Sequence, residues 1–104
     1  MKFRIITSTQ ARQDIDNITD YIRDHFGAPM TALRKYEIIE AAIDSLQEHP
    51  YWQHLYEDAD YYGQSVYVYN VDHYRIFHVP DEKAQTTRVI RVLHQSQNAD
   101  RQLS

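Results

Sequence analysis

Arg75 and Arg91 each sit in the middle of an apolar run, and that placement poses the first chemical question. The runs read Tyr74-Arg75-Ile76-Phe77-His78 and Arg88-Val89-Ile90-Arg91-Val92-Leu93-His94. Their β-branched and aromatic residues read as strands. A cation inside such a strand costs free energy unless its head reaches solvent or an acceptor. The chemistry on offer is anion binding, because a guanidinium donates paired hydrogen bonds to a phosphate or a carboxylate. If Val79 faces Thr87 across the last hairpin, Arg75 faces Arg91 directly on one side of the sheet. Two like charges so placed repel, and they call for an anion between them: a phosphate, or a carboxylate from a partner. A register one residue different sets Arg75 against Ile90 and separates the pair. The connecting turn, Pro80-Asp81-Glu82-Lys83-Ala84, is not a tight two-residue type, so both registers stay open.

Histidines are the other chemically able groups. His94 closes the last run, and an ordinary imidazole with a pKa of about 6.5 can trade a proton near neutral pH. Each of these residues also has a plainer reading. His94 can be a strand-end histidine bonded to backbone. Arg75 can be tied to a helix carboxylate such as Asp14, Glu40 or Asp44, and Arg91 can be a sheet-surface arginine. His73 and His78 are five positions apart and so fall on opposite faces of a regular strand. His49 and His54 flank a proline loop with no third ligand. There is no His-Glu-x-x-His pair, Gly-rich phosphate loop or serine elbow. The chain has no cysteine, which excludes a disulfide framework and a thiolate metal site. Neither a metal nor a cofactor is expected.

Several elements must position these groups. Lys2 to Thr7 reads as a first strand, and Ser8 or Thr9 can cap a helix. Ala11, Ile15, Ile18, Ile22 and Phe26 then fall on one helical stripe that Gly27 closes. Pro29 opens a second helix with Leu33, Tyr36, Ile39, Ile43 and Leu46 on its stripe, ended by His49-Pro50. The short link makes the two an αα-hairpin, and a sheet is the natural cover for both stripes. Tyr51 to Gln64 reads as an aromatic, acidic loop with Tyr51, Trp52, Tyr56, Tyr61 and Tyr62 beside Glu57, Asp58 and Asp60. It is a core lid or a binding patch. Strands follow at about Val66 to Asn70, His73 to Val79 and Thr86 to Leu93. The polar tail, Gln95 to Ser104, reads as frayed or as one loose helical turn.

Length and charge set the outer bounds. A chain of 104 residues is one α+β domain with a single core. Residues 1–65 carry 6 basic and 11 acidic side chains, and residues 66–104 carry 5 and 4. That balance excludes a general nucleic-acid binder, which needs a clear excess of cations. Nine tyrosines suit a protein interface or a half-wet core. No apolar run approaches the roughly 20 residues of a membrane span, and the N-terminus lacks a signal-peptide pattern. A cytoplasmic protein without membrane contact is expected.

Four motifs in order add a resemblance. Ala11-x-x-Asp14-Ile15-x-x-Ile18-x-x-Tyr21-Ile22, closed by Phe26-Gly27, is similar to the first helix of the RelE/ParE toxin superfamily. Leu46 to Pro50 resembles the family's Leu-x-x-x-Pro end of helix two. Tyr74-Arg75-Ile76-Phe77-His78 resembles its Tyr-Arg-Ile-Phe-Tyr strand, and Ile90-Arg91-Val92-Leu93-His94 its closing strand. The resemblance covers roughly residues 3 to 95, and the Arg-Val-Leu-His ending is closer to the ParE branch. It implies an N-terminal strand, an αα-hairpin and a three-stranded antiparallel meander. It also implies a toxin held inactive by a cognate antitoxin, alone as a homodimer or in a hetero-oligomer with that partner. ParE-like members act on DNA gyrase by protein contact. RelE-like members cut messenger RNA on the ribosome, and here Arg75 would hold the phosphate while His94 served as acid. The segment after the last strand, Gln95-Ser-Gln-Asn-Ala-Asp-Arg101, lacks the tyrosine and most of the cations that RelE-like enzymes carry there. A third reading is a toxin that only binds its antitoxin. Arg75, Phe77, Arg88, Arg91 and Leu93 are the expected partner contacts. Phe77, Val89 and Leu93 would lie on an open sheet face, and antitoxin carboxylates would meet the arginines.

Overall fold

A computed structural model of the chain describes residues 2–51 and 54–103. Met1, Trp52, Gln53 and Ser104 lie outside the described residues, as does the side chain of Asp58. The elements run β1 (Arg4–Thr7), α1 (Thr9–Asp20), α2 (Pro29–Ser45), β2 (His54–Tyr61), β3 (Gln64–Val71), β4 (Tyr74–Asp81), β5 (Thr86–His94) and α3 (Ala99–Leu103). The last turn of α1 continues as a π-type turn over Tyr21–His25. Five strands form one sheet in the order β1-β5-β4-β3-β2, with β1 parallel to β5 and the remaining pairs antiparallel. None of the described helices is long and apolar enough to cross a membrane.

The expected helical hairpin is present, and its ends have local causes. Ser8 caps α1 by accepting the Ala11 N–H at 3.0 Å on its hydroxyl. The same residue ties the helix to β5, donating its N–H to the Val89 carbonyl and its hydroxyl to that of Ile90. Gly27 turns the chain at φ 59°, a left-handed conformation that costs glycine little. Pro29 occupies the first turn of α2, where a missing N–H does no harm.

Each sheet face carries its own core. Ala11, Ile15, Ile39, Ala42, Ile43 and Leu46 of the hairpin pack on Tyr74, Ile76, Val89 and Val92. On the other face Val66, Val68, Phe77, Val79, Ile90 and Leu93 gather with Ala99 of α3, backed by Tyr56, Ala59, Tyr61 and Leu103. The α+β class read from the sequence is the class observed.

Three expectations need correction. The stretch read as a loop from Tyr51 to Gln64 contains β2, so the meander has four strands. Its acidic residues hid it: β2 is an edge strand, paired on one side only, where charge is tolerated and blunts unwanted pairing. A register shift between Tyr56 and Asp60 breaks its ladder further. The tail is the second in part: it forms the helical turn given as one of its two readings, but α3 is docked through buried Ala99 rather than loose. The third is the hairpin register. Arg75 pairs with Leu93 and Phe77 with Arg91, while His78 pairs with Val89, so Ile90 has no counterpart on β4. Neither register drawn from the turn is observed, because a bulge intervenes.

Candidate partner-binding site

The bulge at Ile90 decides the fate of Arg91. Beyond Val89 the edge of β5 no longer has β1 beside it, and the first half of α1 lies there instead. Asp14 projects from α1 onto that edge and is almost fully buried. It accepts Arg91 Nε at 2.7 Å, Arg91 Nη2 at 2.9 Å and the Val92 N–H at 2.9 Å. Arg91 Nη1 donates to the Gln102 carbonyl at 3.0 Å, which brings in α3. One bidentate ion pair thus clamps a helix, a strand bulge and the C-terminal turn together. Arg91 is neither an open anion site nor a sheet-surface arginine.

Arg75 is placed differently. Its guanidinium carbon lies 5.5 Å from the Tyr56 ring centre and 5.1 Å from that of Phe77, a cation–π arrangement on the face away from the hairpin. No carboxylate among the described residues pairs with it. Of the helix acids considered for it, Asp14 holds Arg91 and Glu40 accepts Arg12 at 2.7 Å. Arg88 is half-buried opposite Val79. Phe77 and Leu93 are buried under α3 and the β2 aromatics, so the face that holds them is not open. Val89 belongs to the core under the hairpin.

His94 pairs with Tyr74 and so points to the hairpin side, the face opposite Arg75. Its Nδ1 accepts the Ser96 N–H at 3.1 Å, which places the proton of the neutral ring on Nε2, and it lies 2.7 Å from the Ser96 hydroxyl. Its ring meets that of Tyr74 edge-on at 5.6 Å and lies 6.3 Å from that of His73. The backbone-bonded reading of His94 fits this geometry. His73 is exposed, whereas His78 is buried. Among the described residues no three His, Cys, Asp or Glu side chains gather as a metal site would need.

His94 and Arg91 share an open groove of about 790 Å³ between α1 and the end of β5. Ile18, Tyr21, Ile22 and Phe26 form its apolar wall. Gln10, Asn17, Gln97 and Gln102 supply neutral amides, and the Asp14–Arg91 pair lies among them. The stripe that carries this wall was read from the sequence, but its exposure was not. The wider π turn at Tyr21–His25 breaks the α-helical phase, and Phe26 is 65% exposed. Asp14 falls three residues after Ala11 and four before Ile18, a helix-face spacing that was the signal available for it.

Comparison with known proteins sets this geometry in a family. A family model described as "ParE toxin of type II toxin-antitoxin system, parDE" matches residues 5–99. Among solved structures, the chain resembles one from the chromosomal ParDE system of P. aeruginosa at TM-score 0.71 and 16% identity, covering 89% of this chain and 96% of that one. It also resembles a chain of the RelBE2 toxin–antitoxin complex from Mycobacterium tuberculosis at TM-score 0.61 and 17% identity, covering 93% and 95%. At such identities these two likenesses establish the fold. No curated protein matches the sequence. The family match spans α1, α2, β2 to β5 and all but the first residue of β1, and the chain belongs to the ParE toxin family of type II toxin–antitoxin systems.

Proposed function

We propose that this toxin stops growth by contact with DNA gyrase, and that a cognate antitoxin holds it inactive in the cytoplasm. The observation that carries this reading is the separation of Arg75 from His94 by the sheet. An acid and a phosphate-holding cation must reach one scissile centre within hydrogen-bond distance. Side chains on opposite faces do not. The second candidate cation, Arg91, is already spent on Asp14. The groove offers neutral amides rather than a bed of cations, and the net charge is −4, both unfavourable for RNA. The ParDE system and the RelBE2 complex among its structural relatives support an antitoxin as partner.

The test is inducible expression in a bacterial host beside a supercoiling assay with purified gyrase. Growth arrest with filamentous cells and inhibited supercoiling are expected. Arg75→Ala and His94→Ala should both retain the arrest. Rapid loss of translation with cleaved messages, abolished by Arg75→Ala, would overturn the reading in favour of an endoribonuclease. So would the absence of any effect on gyrase.

A further inference from the structure

We propose that Arg4 and Arg88, on the face of the sheet away from the helix hairpin, dock an acidic segment of the protein this toxin acts on. This rests on the target-contact reading above and adds to it the place and the charge of the contact. Strand alternation sets the pair on one face. Ile5 packs under the hairpin, so Arg4 and Ile6 point the other way. Arg88 stands between Ile6 on β1 and Val79 on β4, and Val79 belongs to the core of that same face. Arg4 pairs with Thr86, two positions before Arg88, so the two arginines are diagonal neighbours about 8 Å apart at Cα. Side chains of this length can converge on one carboxylate or grip two in succession.

What marks the pair is the want of an acceptor. The chain carries 15 acidic and 11 basic side chains, so carboxylates are in excess. Lys2, Arg12, Arg23, Lys35 and Arg91 each meet one. Among the described residues no carboxylate pairs with Arg4 or Arg88. The acids of the neighbouring β4–β5 turn are engaged elsewhere: Asp81 accepts the Ala84 N–H at 3.1 Å, and Glu82 accepts the Tyr51 hydroxyl at 2.9 Å. Arg75 shares the face but lies over the Tyr56 and Phe77 rings. A cation on the edge strand β1 would by itself deter unwanted strand pairing. Arg88 guards no edge, because β5 runs between β1 and β4. It is half-buried, its stem flanked by Ile6 and Val79, which leaves its head pre-placed for an anion.

The chemistry of the face selects the occupant. The large apolar side chains exposed among the described residues lie on the hairpin, on β2 and in the segments beside β2, and none is on β1, β4 or β5. A lasting partner buries a broad apolar surface, whereas a charged face without apolar cover suits a transient partner whose approach it steers. The target is the transient partner and the antitoxin the lasting one. Nucleic acid is the weaker fit, since two cations neutralise few phosphates and the net charge of −4 opposes the rest. A second copy would offer the acidic outer side of α1, but Asp20 and Asp24 there are already bonded to Arg23.

The experiment measures inhibition of purified gyrase by the chain and, beside it, the affinity of the chain for the product of the adjacent reading frame. Arg4→Glu and Arg88→Glu should each raise the half-inhibitory concentration about ten-fold, and together about 100-fold. Arg34→Glu, the same charge change at an exposed position of α2, should leave it within about two-fold. Arg4→Gln combined with Arg88→Gln removes the charges without reversing them and should raise it about ten-fold, with the thermal midpoint of the native chain retained. Affinity for the adjacent gene product should stay within about three-fold in all of them. Inhibition by the double reversal equal to that of the native chain would overturn this inference alone. So would loss of affinity for the adjacent gene product in the double reversal, since the antitoxin would then own the arginines. Duplex-DNA binding or self-association of the free chain that the double reversal abolishes would likewise assign them to a phosphate backbone or to a second copy. No inhibition of gyrase by the native chain would overturn the gyrase reading together with this one.

Discussion

His78 should make the stability of this domain fall on mild acidification, well before most carboxylates titrate. The side chain is fully buried opposite Tyr67 and Val89. Its Nδ1 lies 3.2 Å from the Thr87 hydroxyl, and its Nε2 has no hydrogen-bond partner among the described residues. Burial without a charge partner disfavours the imidazolium and pulls the pKa down from 6.5 to about 4. The folded value lies below the unfolded one, so the unfolded chain takes up the proton first. The stabilisation is therefore complete above pH 6.5, declines as pH falls towards 4, and is gone below that. The gap between the two values is worth about 3 kcal/mol in full, of which about 2 kcal/mol is lost by pH 5. Against a domain stability of about 5–15 kcal/mol that loss is large. Urea unfolding at pH 7.5, 6.5, 5.5 and 5.0, on the native chain and on His78→Gln, isolates it. Carboxylate losses are common to both proteins and cancel in the difference. The variant should be less stable at pH 7.5, and its deficit should shrink by about 2 kcal/mol at pH 5. Parallel curves would refute the reasoning, as would an imidazole resonance of His78 that titrates near 6.5.

Three further substitutions probe the groove's frame. Asp14→Ala removes the acceptor of two guanidinium bonds and of the Val92 N–H, leaving a buried cation uncompensated. It should cost about 3–5 kcal/mol, and Arg91→Ala should cost less because Asp14 keeps the Val92 N–H. Urea midpoints of the single variants and of the pair give the coupling, and a loss under about 1 kcal/mol for Asp14→Ala would show that the clamp is dispensable. Gly27→Ala places a side chain at φ 59° with nothing within 4 Å of the new Cβ. Its cost is backbone strain alone, about 1 kcal/mol, read as a small drop in thermal midpoint.

What was legible in the sequence is what periodicity and punctuation encode. The stripe from Ala11 to Ile22, the glycine stop at Gly27 and the proline start at Pro29 all depend on neighbours within one turn. They place the hairpin without reference to the rest of the chain. β2 was illegible for the opposite reason. An edge strand needs only one partner and a bulge, and Glu57 and Asp60 satisfy that role while erasing the alternation by which a strand is recognised. Phe26 and Leu33 carry the right spacing for burial. Whether the sheet extends far enough to cover them depends on tertiary reach, which no local pattern holds.

The arginines show where the boundary lies. A guanidinium in a strand announces that an acceptor is required, but the identity of the acceptor depends on register. Val89 and Val92 both belong to the core under the hairpin although they are three positions apart, which strict alternation forbids. The chain resolves this with the bulge, and the consecutive apolar pairs Val89-Ile90 and Val92-Leu93 are its trace in the sequence. Once that residue is inserted, Arg91 reaches Asp14, and Arg75, paired with Leu93 rather than with Arg91, lies over aromatic rings instead of beside another cation. The cations that suggested an anion-binding catalyst are thereby used within the fold. Among the described residues, the large apolar side chains that the fold leaves exposed include Tyr21, Phe26, Met30 and Leu33 at the end of the helix hairpin.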